Sequence, residues 1–313
     1  MTRLERRQLG KGLAFLSPWL IGFSVFLLVP VCLSLYYSFC DFSLLQPPAF
    51  IGTTNYRELM ADPVFWQSLR NTMVYAAIAL PSGLVVSLGL ALLLNQRVPG
   101  QSFYRTVIFL PSLVPTVASA MLWLWLFNTK LGLINTVLEL PLFAVLIRGL
   151  NSVLAVFHVS GITTPIGWLT EPSWALPALA LMSISGVGQT VVIYLAGLQD
   201  VPKELYESAE LDGAGAWQRL RNVTLPILSP VIFFNLIIAI IGTLQVFAIP
   251  YIMTGGGPAR ATYFFTMYLY DNAFTYLKMG YASAMAWIQL LIVLALTSLA
   301  FWSSKRWVHY SNK

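Results

Sequence analysis

Six stretches of this chain contain no Asp, Glu, Lys, Arg or His: 12–40, 71–96, 106–129, 172–199, 222–259 and 279–304. Each has room for the roughly 20 apolar residues that carry a helix across about 30 Å of hydrocarbon. A backbone inside hydrocarbon must satisfy its own hydrogen bonds, which leaves only helices and closed barrels. The runs are continuous rather than alternating, so they read as helices. Composition agrees: 58% of the residues are hydrophobic and only 10% charged, against about 25% charged in a soluble domain. The expectation is an all-α integral membrane protein with six transmembrane helices. They fall at about 13–37, 71–95, 106–127, 175–198, 228–252 and 281–303, in one transmembrane domain over 1–313.

Charge placement sets the topology, because Lys and Arg favour the cytoplasmic side. With six spans and the N-terminus inside, the inner segments hold Arg3, Arg6, Arg7, Lys11, Arg97, Arg105, Lys203, Arg219, Arg221, Lys305, Arg306 and Lys313. Those are 12 of the 18 Lys and Arg; the outer segments keep Arg57, Arg70, Lys130, Arg148, Arg260 and Lys278. A seventh span within 149–170 would turn 200–221 and Lys305-Arg306 outward, against the bias. Asn151, His158, Gly161 and Thr163-Thr164-Pro165 also interrupt that window. So 130–171 reads as an outer loop with an interfacial or short helix, and both termini read as cytoplasmic.

The same bias accounts for the net charge of +6 without a nucleic-acid partner; membrane lipid is the expected surrounding. The first window has the basic front of a signal peptide. It ends in bulky Leu33, Leu35, Tyr36 and Tyr37 with no small-residue cleavage site, so it reads as an uncleaved span. Cys32 and Cys40 lack zinc spacing and read as small buried hydrophobes.

Catalytic groups are scarce. No G-x-x-x-x-G-K-[ST] loop exists, and Glu5 stands where the first glycine would be needed before Gly10-Lys11. No H-E-x-x-H and no G-x-S-x-G occur, and the two histidines are His158 and His309. No catalytic residue, metal ligand or cofactor site is assigned. The uncharged spans argue against a proton-driven pump, which would place ionisable groups at mid-membrane. They hold Ser183, Ser185, Gln189, Thr190, Asn235, Gln245 and Gln289 instead. Such groups serve hydrogen bonding between helices, and as a set they also suit an uncharged, hydroxyl-rich solute. Ser185, Gln189, Asn235 and Gln245 are the candidate solute contacts. Pro81, Pro111, Pro115, Pro177, Pro226, Pro230 and Pro250 lie in or at the ends of spans, where each removes a backbone donor and bends its helix.

The polar segment 200–226 stands apart. Pro202 suits the first turn of a helix, and Glu204 and Glu207 follow at the positive end of its dipole. Gly213 can end that helix in a left-handed conformation. Ala214, Gly215 and Ala216 make a bulk-free elbow, and a second short helix is expected over about 216–222. Such an elbow admits a close partner surface; a solvated loop without a partner reads the same way.

Here the residues resemble a known family. Glu207-Ser208-Ala209-x-x-Asp212-Gly213-Ala214, with Trp217 and Val223-Thr224-Leu225-Pro226, is similar to the EAA loop of ABC-transporter permeases, closest to carbohydrate importers of the maltose and glycerol-phosphate kind. Asn55-Tyr56, Asp62-Pro63-x-Phe65-Trp66, Asn71-Thr72, Gly132-Leu133-Ile134-Asn135, Met253-Thr254-Gly255-Gly256-Gly257-Pro258 and Gly280-Tyr281-Ala282-Ser283-Ala284 extend the likeness over most of the chain. Ser208 departs from the family's usual alanine and Leu220 from a common aromatic.

The resemblance implies a type I ABC-importer permease fold in the bacterial inner membrane. It implies a second, different permease subunit, two ATPase subunits carrying ATP and Mg, and a soluble solute-binding protein. It makes Glu207, Ser208, Ala209, Asp212, Gly213 and Ala214 the ATPase-docking residues. The solute would be a sugar, a polyol or a glycerol-phosphate ester. The contrasting readings are a self-sufficient secondary transporter of a neutral solute and, with less support, a membrane enzyme.

Overall fold

The computed structural model describes residues 3–96, 99–156 and 164–309. Arg97, Lys313, His158, Gly161 and Thr163, named above, lie outside the described residues. The chain divides into two compact units, Met1–Phe65 with Leu269–Ile292, and Trp66–Tyr268 with Val293–Lys313.

The chain opens with α1 (Arg3–Phe23), a π-turn (Ser24–Leu28) and α2 (Val29–Tyr37), followed by a short hairpin, β1 (Cys40–Ser43) and β2 (Gln46–Phe50). Then come α3 (Thr54–Ala61), α4 (Pro63–Leu94), α5 (Gln101–Leu113), α6 (Thr116–Leu126), α7 (Leu133–Leu138) and α8 (Pro141–Val156). The next helices are α9 (Pro172–Ser185), α10 (Gly188–Gln199), α11 (Lys203–Leu211), α12 (Ala216–Arg219), a π-turn (Leu220–Thr224) and α13 (Leu225–Leu244). The chain closes with α14 (Ala248–Met253), α15 (Phe265–Tyr270), a π-turn (Asp271–Thr275) and α16 (Met279–Ser304). The hairpin is an antiparallel pair, Cys40 opposite Phe50, and was not expected from a purely helical reading.

Among the described residues, four helical stretches are long and apolar enough to cross a membrane: Lys11–Tyr37, Pro63–Leu94, Ala216–Met253 and Met279–Ser304. Two bent pairs bring the number to six if each pair is one span: α5 with α6, at 100°, and α9 with α10, at 49°. The first bend has a local cause. Proline forces its predecessor out of the helical region, and Val114, before Pro115, sits at φ −71°, ψ 130°. The single span expected at 106–127 is therefore two helices.

Proline also explains two of the π-turns. A proline cannot donate to the carbonyl four residues back, and its ring crowds that carbonyl. Ahead of Pro30 and Pro226 the ladder widens by one residue. Val29 N–H donates to Ser24 O, and Leu225 N–H donates to Leu220 O. The helix thus runs through Pro226 unbroken, and the short helix expected at 216–222 is the foot of the fifth span.

Several of the family-like motifs turn out to be packing devices. In the first unit, buried Asn55 donates from Nδ2 to Ser38 O and Cys40 O, both at 2.9 Å. Gly280 lies against the same carbonyl: an added Cβ would stand 2.0 Å from Cys40 O. Tyr281 donates to the Asp62 carboxylate at 2.8 Å. In the second unit, buried Asn135 donates to Thr129 O (3.0 Å) and Ile166 O (2.9 Å). Its Oδ1 accepts from Ile166 N–H (3.2 Å) and the Trp168 indole (3.0 Å). One amide thereby satisfies a buried strap that has no regular structure of its own.

The second unit has two cores. One gathers Tyr75, Phe127, Trp168, Leu179 and Phe264. The other joins the ends of α4 and α10 to α13 through Ala91, Leu94, Tyr194, Leu195, Leu198 and Leu228. Between them α10 meets α5 backbone to backbone at Gly188, where a Cβ would lie 2.7 Å from Ile108 O.

Candidate functional site

The loop 200–226 folds as two arms around a glycine. α11 starts after Pro202, whose missing donor costs nothing there, with Glu204 in the first turn. It ends in a Schellman motif: Gly213 N–H donates to Glu210 O at 3.0 Å, and Ala214 N–H donates to Ala209 O at 2.9 Å. Gly213 takes φ +78°, a left-handed conformation natural to glycine. The second arm starts at Gly215, whose N–H donates to the Gln218 side chain at 2.8 Å. Three of the six expected docking residues, Ala209, Gly213 and Ala214, thus make the turn itself.

Two contacts fix the arms together. Arg219 forms a salt bridge with Glu210. The Tyr206 hydroxyl meets the Thr224 hydroxyl at 2.9 Å, with Thr224 buried at the foot of the fifth span. Glu207, Ser208 and Asp212 are exposed; the Ser208 hydroxyl donates to Glu204 O at 2.8 Å and so stays on its own helix. The most exposed large apolar residues of the loop are Leu211, 90% exposed, and Trp217, 69% exposed. Trp217 belongs to the sequence motif, whereas Leu211 carries no motif signal. What distinguishes it is a large apolar side chain between Glu210 and Asp212.

The second feature is a cavity of about 390 Å³ between α4, the α9–α10 bend and α13. Its polar lining is Tyr75, Ser183, Thr190, Asn235 and Thr243; the rest is small or aliphatic, and no charged residue faces it. Gly83, Gly186 and Gly242 leave it open. Of the four expected solute contacts, only Asn235 lines it. Ser185 donates to Met182 O at 2.7 Å, within its own helix, and Gln189 and Gln245 are exposed away from the cavity. Tyr75 and Thr243 were not singled out from sequence. They lie on different helices, so no spacing along the chain connects them. Asn235 donates one amide hydrogen to Val231 O at 3.1 Å, and its buried side chain also lies beside the Tyr194 hydroxyl.

A helical membrane protein with an uncharged cavity between its helices and a polar two-armed loop has the build of a transport component. Residues 83–309 match the family of binding-protein-dependent transport system inner membrane components, and the chain belongs to that family. It is the permease subunit of an ABC importer, which sets aside the secondary-transporter and enzyme readings.

Its relatives include the probable ABC transporter permease protein YesP of Bacillus subtilis (strain 168). That protein is 39% identical over 316 residues, covering 100% of this chain and 96% of the relative. The sulfoquinovosyl glycerol transport system permease protein SmoG of Agrobacterium fabrum is 33% identical, covering 96% of each. The lactose transport system permease protein LacF of Rhizobium radiobacter is 34% identical, covering 97% of each. The fold matches a chain of a bacterial ABC transporter involved in the import of the acidic polysaccharide alginate. The TM-score is 0.76 at 23% identity, covering 97% of this chain and 99% of that one.

Proposed function

We propose that this permease carries a sugar or sugar-like neutral solute across the bacterial inner membrane and is driven by separate ATPase subunits that dock on the 200–226 loop. The observation that carries the docking is the pair Leu211 and Trp217, 90% and 69% exposed on either side of the Gly213 turn. Exposed apolar side chains ringed by charge mark a surface that expects a partner. Glu207, Ser208, Ala209, Asp212, Gly213 and Ala214 surround them on that surface. The chain has no phosphate-binding loop of its own, so ATP and Mg belong to the partner.

The other members of the assembly are a second, different permease subunit and a soluble solute-binding protein. In this reading both termini and the docking loop are cytoplasmic, which the bias of the basic residues supports. ATP binding closes the docked subunits and moves the loop, and the bundle tilts between inward- and outward-facing states. The equilibrium shifts only by the difference in binding energy between those states. The solute class is supported by the neutral hydroxyl and amide lining at Tyr75, Ser183, Thr190, Asn235 and Thr243 and by relatives named for lactose and sulfoquinovosyl glycerol.

Co-expression with the cognate ATPase tests the docking. Glu207→Lys and deletion of Gly213 are expected to lose the ATPase on purification, or to keep it while ATP hydrolysis runs without uptake. Normal co-purification with normal transport would exclude the 200–226 loop as the docking surface.

A further inference from the structure

We propose a second binding site, for a phosphate group, in a cavity of about 210 Å³ where α5 meets α10, with Arg105 as its anion-binding residue. The site shares no residue with the cavity around Asn235. Arg105 lines it together with Leu94, Ile108, Phe109, Leu195 and Gln199, and no Asp or Glu does. The Nε of Arg105 is buried and meets no hydrogen-bond acceptor among the described residues.

A guanidinium stays charged at any physiological pH and offers five donors but no acceptor. The half-buried guanidinium keeps its Nε donor against apolar walls without an acceptor, which costs free energy, so the site calls for an acceptor-bearing occupant, and the cation favours an anionic one. The planar donor fork fits a phosphate's oxygens in bidentate fashion. The amide of Gln199 adds a neutral donor at the same mouth.

The place in the fold points to a lipid as the carrier of that phosphate. Leu94 and Gln199 are the last residues of α4 and α10, and Arg105 lies in the first turns of α5. The cavity therefore sits at the ends of three helices, at headgroup depth, where arginine lays its stem along apolar surface and its head at the interface. One wall, at Val192 and Ala196, is exposed, so an acyl chain can leave the cavity along it. The floor is rigid, because α5 and α10 touch at Gly188 with no room for a side chain. In the orientation proposed above this is the inner leaflet. Only the leaflet rests on that reading; the binding site does not.

The full chain, purified in neutral detergent and stripped of lipid, can be titrated with three probes while thermal unfolding and native mass spectrometry report binding. The probes are phosphatidylglycerol, diacylglycerol with the same acyl chains, and inorganic phosphate. Phosphatidylglycerol is expected to bind saturably and diacylglycerol not. Arg105→Gln should weaken phosphatidylglycerol about tenfold, the worth of one charge-assisted contact, and Arg105→Lys less. Saturable inorganic phosphate binding that Arg105→Gln removes would support the phosphate site and assign it to a free anion. Equal phosphatidylglycerol affinity in the native chain and Arg105→Gln, or equal affinity for phosphatidylglycerol and diacylglycerol, would overturn it. If Arg105→Gln does not fold, Val192→Trp fills the wall with the guanidinium intact and must produce the same loss. A folded Val192→Trp chain that binds phosphatidylglycerol normally overturns the site as well.

Discussion

The 200–226 loop, the proposed docking surface, and the cavity around Asn235, the proposed solute site, are built by opposite means. The loop is local: its turn, caps and most of its ties come from residues within 18 positions of one another, such as Tyr206 and Thr224. The cavity is non-local, because Tyr75, Ser183 and Asn235 meet only when α4, α9 and α13 pack. A local surface writes its geometry into consecutive residues. A cavity between helices leaves only a scatter of neutral polar residues, most of which face elsewhere.

The contrast can be broken by substitutions that act on one region alone. The largest effect is expected from Leu211→Asp combined with Trp217→Ala. Removing both apolar contacts should abolish ATPase retention on purification while solute affinity stays unchanged; loss of both together would show the regions to be inseparable. Next comes Gly213→Val. A β-branched residue at φ +78° is strained by roughly 1–3 kcal/mol. Uptake is expected to fall about tenfold or more in a transport assay on chain that still folds.

Asn235→Leu should raise the half-saturating solute concentration by about three- to tenfold, the range for one or two lost hydrogen bonds, and leave ATPase co-purification normal. Tyr206→Phe removes the bond to Thr224 and nothing else. About 1 kcal/mol should appear as a modest loss of coupling, read as ATP hydrolysed per solute imported. Smallest of all, Ser185→Ala, Gln189→Ala and Gln245→Ala should each change uptake less than about twofold, since none lines the cavity. A large effect from any of the three would move the solute path elsewhere.

The spans were legible because an uncharged window is a one-dimensional property: the hydrocarbon imposes it residue by residue. The glycine turn was legible because Gly213 and its small neighbours leave few other conformations. The 100° bend between α5 and α6 was not. Pro115 announces a break, but the angle is set by what each half packs on. The Glu210–Arg219 pair escaped for a similar reason, since a separation of nine positions matches no helical contact and only the turn brings the two together. Asn135 and Asn55 look like functional motifs in the sequence and serve as buried staples in the fold.

The helix passes Pro226 without a joint. From Ala216 to Leu244 the backbone is a single rod, roughly 44 Å long at about 1.5 Å per residue. Trp217 stands at one end, and Asn235 about 27 Å up the same axis. A rod has no relay to wait for: displacing its foot reorients everything mounted on it in one movement. The stroke delivered at the tryptophan and the aperture seen by the solute would then be two readings of one tilt angle.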